Sequence, residues 1–120
     1  MAAPPRKPVL IVDDDRDIRE GLQELLESEG HSVFTATDGQ DALERLATIP
    51  RPGLVLLDLM MPRMNGQAFI QRVRGDPKTA DLPIVVLTAA PVKVGDVAGL
   101  LRKPPDVDEL ITLVKRFCAA

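Results

Sequence analysis

Tryptophan and tyrosine are absent from this chain, and Phe34, Phe69 and Phe117 are its only aromatic residues. Base- or flavin-stacking platforms are therefore lacking, and the core has to be built from aliphatic side chains. A single cysteine, Cys118, excludes an internal disulfide and fits a reducing cytoplasm. No apolar run approaches the roughly 20 residues of a membrane span, and the N-terminus has no signal-peptide apolar segment. Positive charge is not in excess: the formal net charge is -3, which argues against a nucleic-acid or anionic-membrane partner. There is no internal repeat and no linker long enough to divide the 120 residues, a length that suits one domain.

What is present is a set of short apolar runs, each ending in a polar residue. Val9-Leu10-Ile11-Val12 ends in Asp13-Asp14-Asp15. Leu54-Val55-Leu56-Leu57 ends in Asp58. Ile84-Val85-Val86-Leu87 ends in Thr88, and Leu100-Leu101-Arg102 ends in Lys103-Pro104. These runs are continuously apolar, as strands buried on both faces are. A further strand is read over 31–36. Between the strands lie helical patterns. Ile18, Leu22, Leu25 and Leu26 precede a Gly30 stop. Ala42, Leu43 and Leu46 follow Thr37-Asp38-Gly39. Phe69, Ile70 and Val73 follow an Asn65 cap, and Gly75-Asp76-Pro77 ends that helix. Leu110, Ile111, Leu113, Val114 and Phe117 follow a capping box at Asp106 and Glu109. Alternation of strand and helix predicts an α/β fold with a doubly wound, five-stranded parallel sheet. Residues 1–8 read as a disordered Pro-rich lead-in, and 9–120 as the domain. The connection 89–99 contains Pro91, Gly95 and Gly99, so the fourth helix is expected to be shortened or absent.

In a parallel sheet all strand C-termini share one edge, which would gather three carboxylates, a hydroxyl and an ammonium. Two carboxylates a few ångströms apart repel by about 3–4 kcal/mol at an effective dielectric near 20. An all-oxygen acidic cluster relieved by a divalent cation suits Mg²⁺ or Mn²⁺ and phosphoryl transfer.

These residues resemble the receiver domain of two-component response regulators, over nearly the whole chain from Val9 to Phe117. The acidic pair Asp13-Asp14, Asp58 in the loop Asp58-Leu59-Met60-Met61-Pro62-Arg63-Met64-Asn65-Gly66, Thr88 followed by Ala89, and Lys103-Pro104 match that family's motifs in order. The resemblance implies a flavodoxin-like strand order, 2-1-3-4-5. It implies Asp58 as phosphoacceptor, with Thr88 and Lys103 contacting the phosphoryl group. It implies Mg²⁺ held directly by Asp14 and Asp58, through water by Asp13, and by the main-chain carbonyl of Met60. The implied partners are a sensor histidine kinase or phosphotransfer protein and a downstream protein, with no nucleic acid and no membrane. A monomeric, cytoplasmic phosphorylation switch is expected, not an enzyme acting on other substrates. Because the chain stops just after the last helix, the domain is expected either to signal through a partner or to serve as a phosphate sink in a relay. Lys103-Pro104 is a candidate cis peptide.

The chain departs from the pattern at the short fourth helix, at Leu100 where many receivers carry Tyr or Phe, and at Pro105 where Phe is frequent. These departures lie on the face that commonly carries output. Asp15 reads as a helix cap and His31 as structural. Cys118 reads as inert, and Met60, Met61 and Met64 as loop packing. Three rival functions were weighed. A flavodoxin-type carrier is disfavoured because Asp13-Asp14-Asp15-Arg16-Asp17 would repel a flavin phosphate. An aspartate-nucleophile phosphatase is disfavoured because Asp58 is on the third strand and is followed at +2 by Met60. A phosphorylation-independent binding module is the alternative that remains.

Overall fold

The structure, a computed structural model, describes residues 7–61, 64–89, 95 and 97–119. Five parallel strands, β1 (Val9–Val12), β2 (Val33–Ala36), β3 (Leu54–Asp58), β4 (Ile84–Thr88) and β5 (Gly99–Arg102), form one sheet in the order β2-β1-β3-β4-β5. Four helices, α1 (Arg16–Ser28), α2 (Gly39–Leu46), α3 (Gly66–Gly75) and α4 (Val107–Cys118), pack on its two faces. No helix lies between β4 and β5 among the described residues. Much of the expected irregular connection, 90–94 and 96, lies outside those residues.

The strands are apolar throughout because successive side chains enter two different cores. Leu10, Val12, Val55, Leu57, Ile84 and Val86 point toward α2 and α3, around Phe69. Val9, Ile11, Leu54, Leu56, Val85 and Leu87 point toward α1 and α4, around Leu26, Leu110 and Val114. β2 is shorter than the 31–36 run; Ser32 still joins the ladder by accepting the Val9 N–H through its carbonyl.

Each helix starts on a side chain that accepts orphan N–H groups. Asp15 receives Asp17 and Ile18, Asp38 receives Asp41, Asn65 receives Ala68, and Asp106 receives Glu109. Gly30 ends α1 with φ at 87°; its N–H bonds Glu27 and the His31 N–H bonds Leu26, the two-bond glycine stop. His31 itself is buried. No helix among the described residues is long and apolar enough to cross a membrane.

Of the lead-in 1–8, residues 1–6 lie outside the described ones, and the last two join the fold. The Lys7 N–H donates to the Cys118 carbonyl at 3.0 Å, and Pro8 accepts from the Gly53 N–H at 2.8 Å. The Cys118 thiol also faces the Pro8 carbonyl, at 3.7 Å. Three distant segments therefore meet at Gly53. A Cβ there would stand 2.6 Å from the Phe117 carbonyl and 3.1 Å from Cys118 Cα. Gly53→Ala should cost about 1–3 kcal/mol of stability, because backbone must move to admit the methyl. Gly21→Ala, mid-helix with nothing within 4 Å, should instead stabilise by about 0.5–1 kcal/mol. Thermal melts of the two variants check the contrast in sign.

Candidate functional site

Parallel pairing brings four strand ends to one edge, and the polar residues there are unusually buried. Asp13, Asp58 and Thr88 are 1%, 7% and 6% exposed. Asp13 follows β1, and its N–H extends the ladder to the Ala36 carbonyl at 3.1 Å. Asp58 and Thr88 are the last residues of β3 and β4. Lys103 follows β5; its N–H donates to the Thr88 carbonyl at 2.8 Å, and its peptide bond to Pro104 is cis.

The side chains converge. Lys103 Nζ donates to Asp13 Oδ2 at 3.0 Å and lies 3.4 Å from Asp58 Oδ1. Asp58 Oδ1 also accepts the Met60 N–H at 3.2 Å. One carboxylate oxygen from each of Asp13, Asp14 and Asp58 falls within 4.8 Å of the others. The group borders a cavity of about 280 Å³ that Thr88, Ala89 and Met60 also line. Asp14 is the exposed member of the cluster, whereas Asp13 and Asp58 are buried.

Burial holds the Asp58 carboxyl above the usual carboxylate range; the Met60 N–H opposes this, the Asp13 charge adds to it, and Lys103 opposes it again. Lys103 is shifted upward as well. Burial alone would lower it, but its hydrogen bond to Asp13 and the charges of Asp13 and Asp58 outweigh that effect. The two directions agree physically. The ammonium sees two anions, while the Asp58 carboxylate sees one cation, one anion and little water.

Each expected site residue therefore sits in one constellation: Asp13, Asp14, Asp58, Thr88 and Lys103, with the Met60 main chain beside Asp58. Asp15 turns away from it to cap α1. Met61 and Met64 pack against the α2–α3 core, as loop packing requires, but Met60 is 78% exposed. Its main chain, not its side chain, faces the site. Cys118 is buried at the end of α4. Leu100 is 42% exposed on β5.

Two features escaped the sequence reading. The loop after Asp58 is fastened at Gly66 and Met64: the Gly66 N–H donates to Leu59, and the Gly39 N–H of α2 donates to Met64. Arg19, in the second turn of α1, donates from Nη1 to the Asp13 carbonyl at 2.9 Å. Nothing distinguishes it in the sequence from the solvated Arg16 three residues earlier.

Comparison with known proteins gives the same placement. The family profile described as the response regulator receiver domain matches residues 9–115. A response regulator, MprA, of Mycolicibacterium vanbaalenii is 42% identical over 116 residues, covering 89% of this chain and 48% of that protein. The chain thus spans about half the length of the curated relatives it matches. A sensor protein from Polaromonas superposes with a TM-score of 0.86 at 32% identity, covering 94% of this chain and 96% of that one. The chemotaxis protein CheY4 of Vibrio cholerae does so at 0.84 and 30% identity, covering 92% and 98%. With the profile spanning nearly the whole sheet and its edge, the chain belongs to the receiver domain family of response regulators.

Proposed function

We propose that Asp58 accepts a phosphoryl group from a phosphohistidine on a sensor histidine kinase or phosphotransfer protein. In this reading the domain passes the change on to a downstream protein on the cytoplasmic side. The observation that carries this is the shared ammonium: Lys103 Nζ contacts Asp13 and Asp58 together, next to Asp14, at the mouth of a cavity. A turn carboxylate has no need of such company; a nucleophile that must meet an anionic donor does. The convergence of all four strand ends favours this reading over a phosphorylation-independent binding module.

The donor set fits a small hard cation. Octahedral Mg²⁺ with oxygens at about 2.1 Å requires ligand oxygens about 3.0–4.2 Å apart, and the three carboxylate oxygens lie within 4.8 Å of one another. Asp14, Asp58 and the Met60 carbonyl would hold the ion directly, and Asp13 through water. Bound there, Mg²⁺ would supply charge neutralisation for the incoming phosphoryl oxygens. The remaining work falls to the chain. The Asp58 oxygen attacks phosphorus in line; the O–P bond forms as the donor N–P bond breaks, and the leaving imidazole keeps the electron pair. Lys103 has three N–H donors, so it can stay on Asp13 while turning another from Asp58 to a phosphoryl oxygen. The Thr88 hydroxyl would take a further oxygen. The product adds about 1.5–2 negative charges to a buried edge, which draws Thr88 and its following loop inward. Self-catalysed phosphorylation and hydrolysis are the only chemistry this assigns.

Incubation with acetyl phosphate and Mg²⁺ should add one phosphoryl mass that is labile in alkali, and Asp58→Asn should abolish it. Persistence of the adduct in that variant would remove Asp58 from its role.

Asp14→Asn should weaken Mg²⁺ binding strongly, whereas Asp15→Asn should cost only a cap contribution of about 1 kcal/mol in stability. With no tryptophan to report, calorimetry is the measurement, and equal losses in affinity would contradict the ligand assignment.

A third expectation comes from the raised Asp58 pKa. The folded state holds the Asp58 proton more tightly than the unfolded chain does. Metal-free stability therefore falls as pH rises from about 4, the unfolded value, through the higher folded value. In chelator, Asp58→Asn should melt higher than wild type at neutral pH. The gain should vanish below about pH 3.5, where the wild-type carboxyl is protonated in both states. Saturating Mg²⁺ should erase the gain by stabilising the wild type more. A variant that melts lower in chelator would contradict the burial argument.

A further inference from the structure

From the hydrogen bonds around β1 we infer that Arg19 is a positioning residue that aims the Asp14 carboxylate at the cation. The inference rests on the metal-site reading above. Asp14 is exposed, so its side chain takes its direction chiefly from its backbone. A peptide unit is planar, so the direction of the Asp14 Cα–Cβ bond follows from the two planes that flank it. Both planes are pinned. The preceding one is held by its carbonyl, that of Asp13, which accepts Arg19 Nη1 at 2.9 Å. The following one is held by its N–H, that of Asp15, which donates to Asp13 Oδ1 at 2.9 Å. Asp13 is itself tied through its N–H to Ala36 and through Oδ2 to Lys103. Asp15 is tied to α1 by accepting from Asp17 and Ile18. The Arg19 guanidinium is thus the one side-chain donor that reaches the pinned plane before Asp14 among the described residues. It also ties α1 to the end of β1, so the helix and the acidic turn move as a unit.

The inference has a sign that a mere charge effect does not share. A cation beside an acidic cluster repels a divalent ion, so removing it should tighten metal binding. Loss of an anchor should weaken binding, by roughly 10–100-fold for a residue that orients a metal ligand. Arg16 is the matched control. It carries the same charge on the same helix but is exposed and, among the described residues, pairs with Glu20 alone, at 2.9 Å.

The test measures Mg²⁺ affinity by calorimetry for wild type, Arg19→Met, Arg19→Lys and Arg16→Met, with thermal melts to confirm folding. Arg19→Met should bind roughly 10–100-fold more weakly, Arg19→Lys should fall between it and wild type, and Arg16→Met should bind at least as tightly as wild type. Phosphorylation by acetyl phosphate should show the apparent Mg²⁺ constant rising in Arg19→Met while the rate at saturating Mg²⁺ recovers. General damage to the fold would lower both. An Arg19→Met protein that binds Mg²⁺ as tightly as wild type, or tighter, overturns the inference. If the wild type binds no Mg²⁺, the metal-site reading fails instead. The anchor is still read without metal, by amide exchange at Asp15: faster exchange in Arg19→Met supports it and unchanged exchange overturns it.

Discussion

Charge held at the edge of an otherwise apolar sheet is the constraint to which the rest of this domain answers. At the 4.8 Å that bounds the separation of the three carboxylate oxygens, each pair repels by about 3.5 kcal/mol at an effective dielectric near 20. Lys103, at 3.0 and 3.4 Å from two of them, attracts each by about 5 kcal/mol on the same scale, before its own desolvation. One ammonium against three carboxylates leaves an excess of two negative charges. The edge is therefore short of charge rather than short of ligands, and a divalent ion has the charge that balances it. Only the parallel order makes the arrangement available. Lys103 comes from β5 and Asp13 from β1, 90 residues apart in sequence, and the central strand β3 brings Asp58 between them.

The backbone around this edge is fastened more firmly than its loop character suggests. The Lys103 N–H holds the end of β4, the Gly66 N–H folds the loop after Asp58 onto Leu59, and the Gly39 N–H bridges from α2 to Met64. A Cβ at Gly66 would stand 2.7 Å from Leu59 Cα, and one at Gly39 would stand 2.7 Å from the Met64 carbonyl. These close approaches leave room for no side chain at either position, so the backbone beside Asp58 is held by glycine contacts as well as by hydrogen bonds.

Much of this was legible in the residues, for identifiable reasons. Strand ends are marked by an apolar run meeting a polar residue, so Asp13, Asp58, Thr88 and Lys103 could be read directly. Helix starts are marked by Asp15, Asp38, Asn65 and Asp106, whose caps are local contacts. The strand order came instead from the family resemblance, since periodicity says nothing of which strands are neighbours. Arg19 escaped because a helix cation that bonds a carbonyl has the same local pattern as one in solvent. Met60 was half legible: its exposed side chain follows from a main-chain role, yet apolar neighbours made packing the natural expectation. The junction at Gly53 left no trace at all, because it is formed by backbone atoms of three segments with no shared periodicity.

That junction has a consequence for how the domain assembles. Pro8 and Cys118 are 110 residues apart, and their contact all but closes the chain on itself. Closing a free loop of that length would cost about 4 kcal/mol of chain entropy. Once β1 and β3 have paired and α4 has docked, the ends are already adjacent and the remaining cost is small. The clasp of Lys7, Pro8, Gly53 and Cys118 thus adds its hydrogen bonds at little further entropic cost once the sheet and α4 are in place.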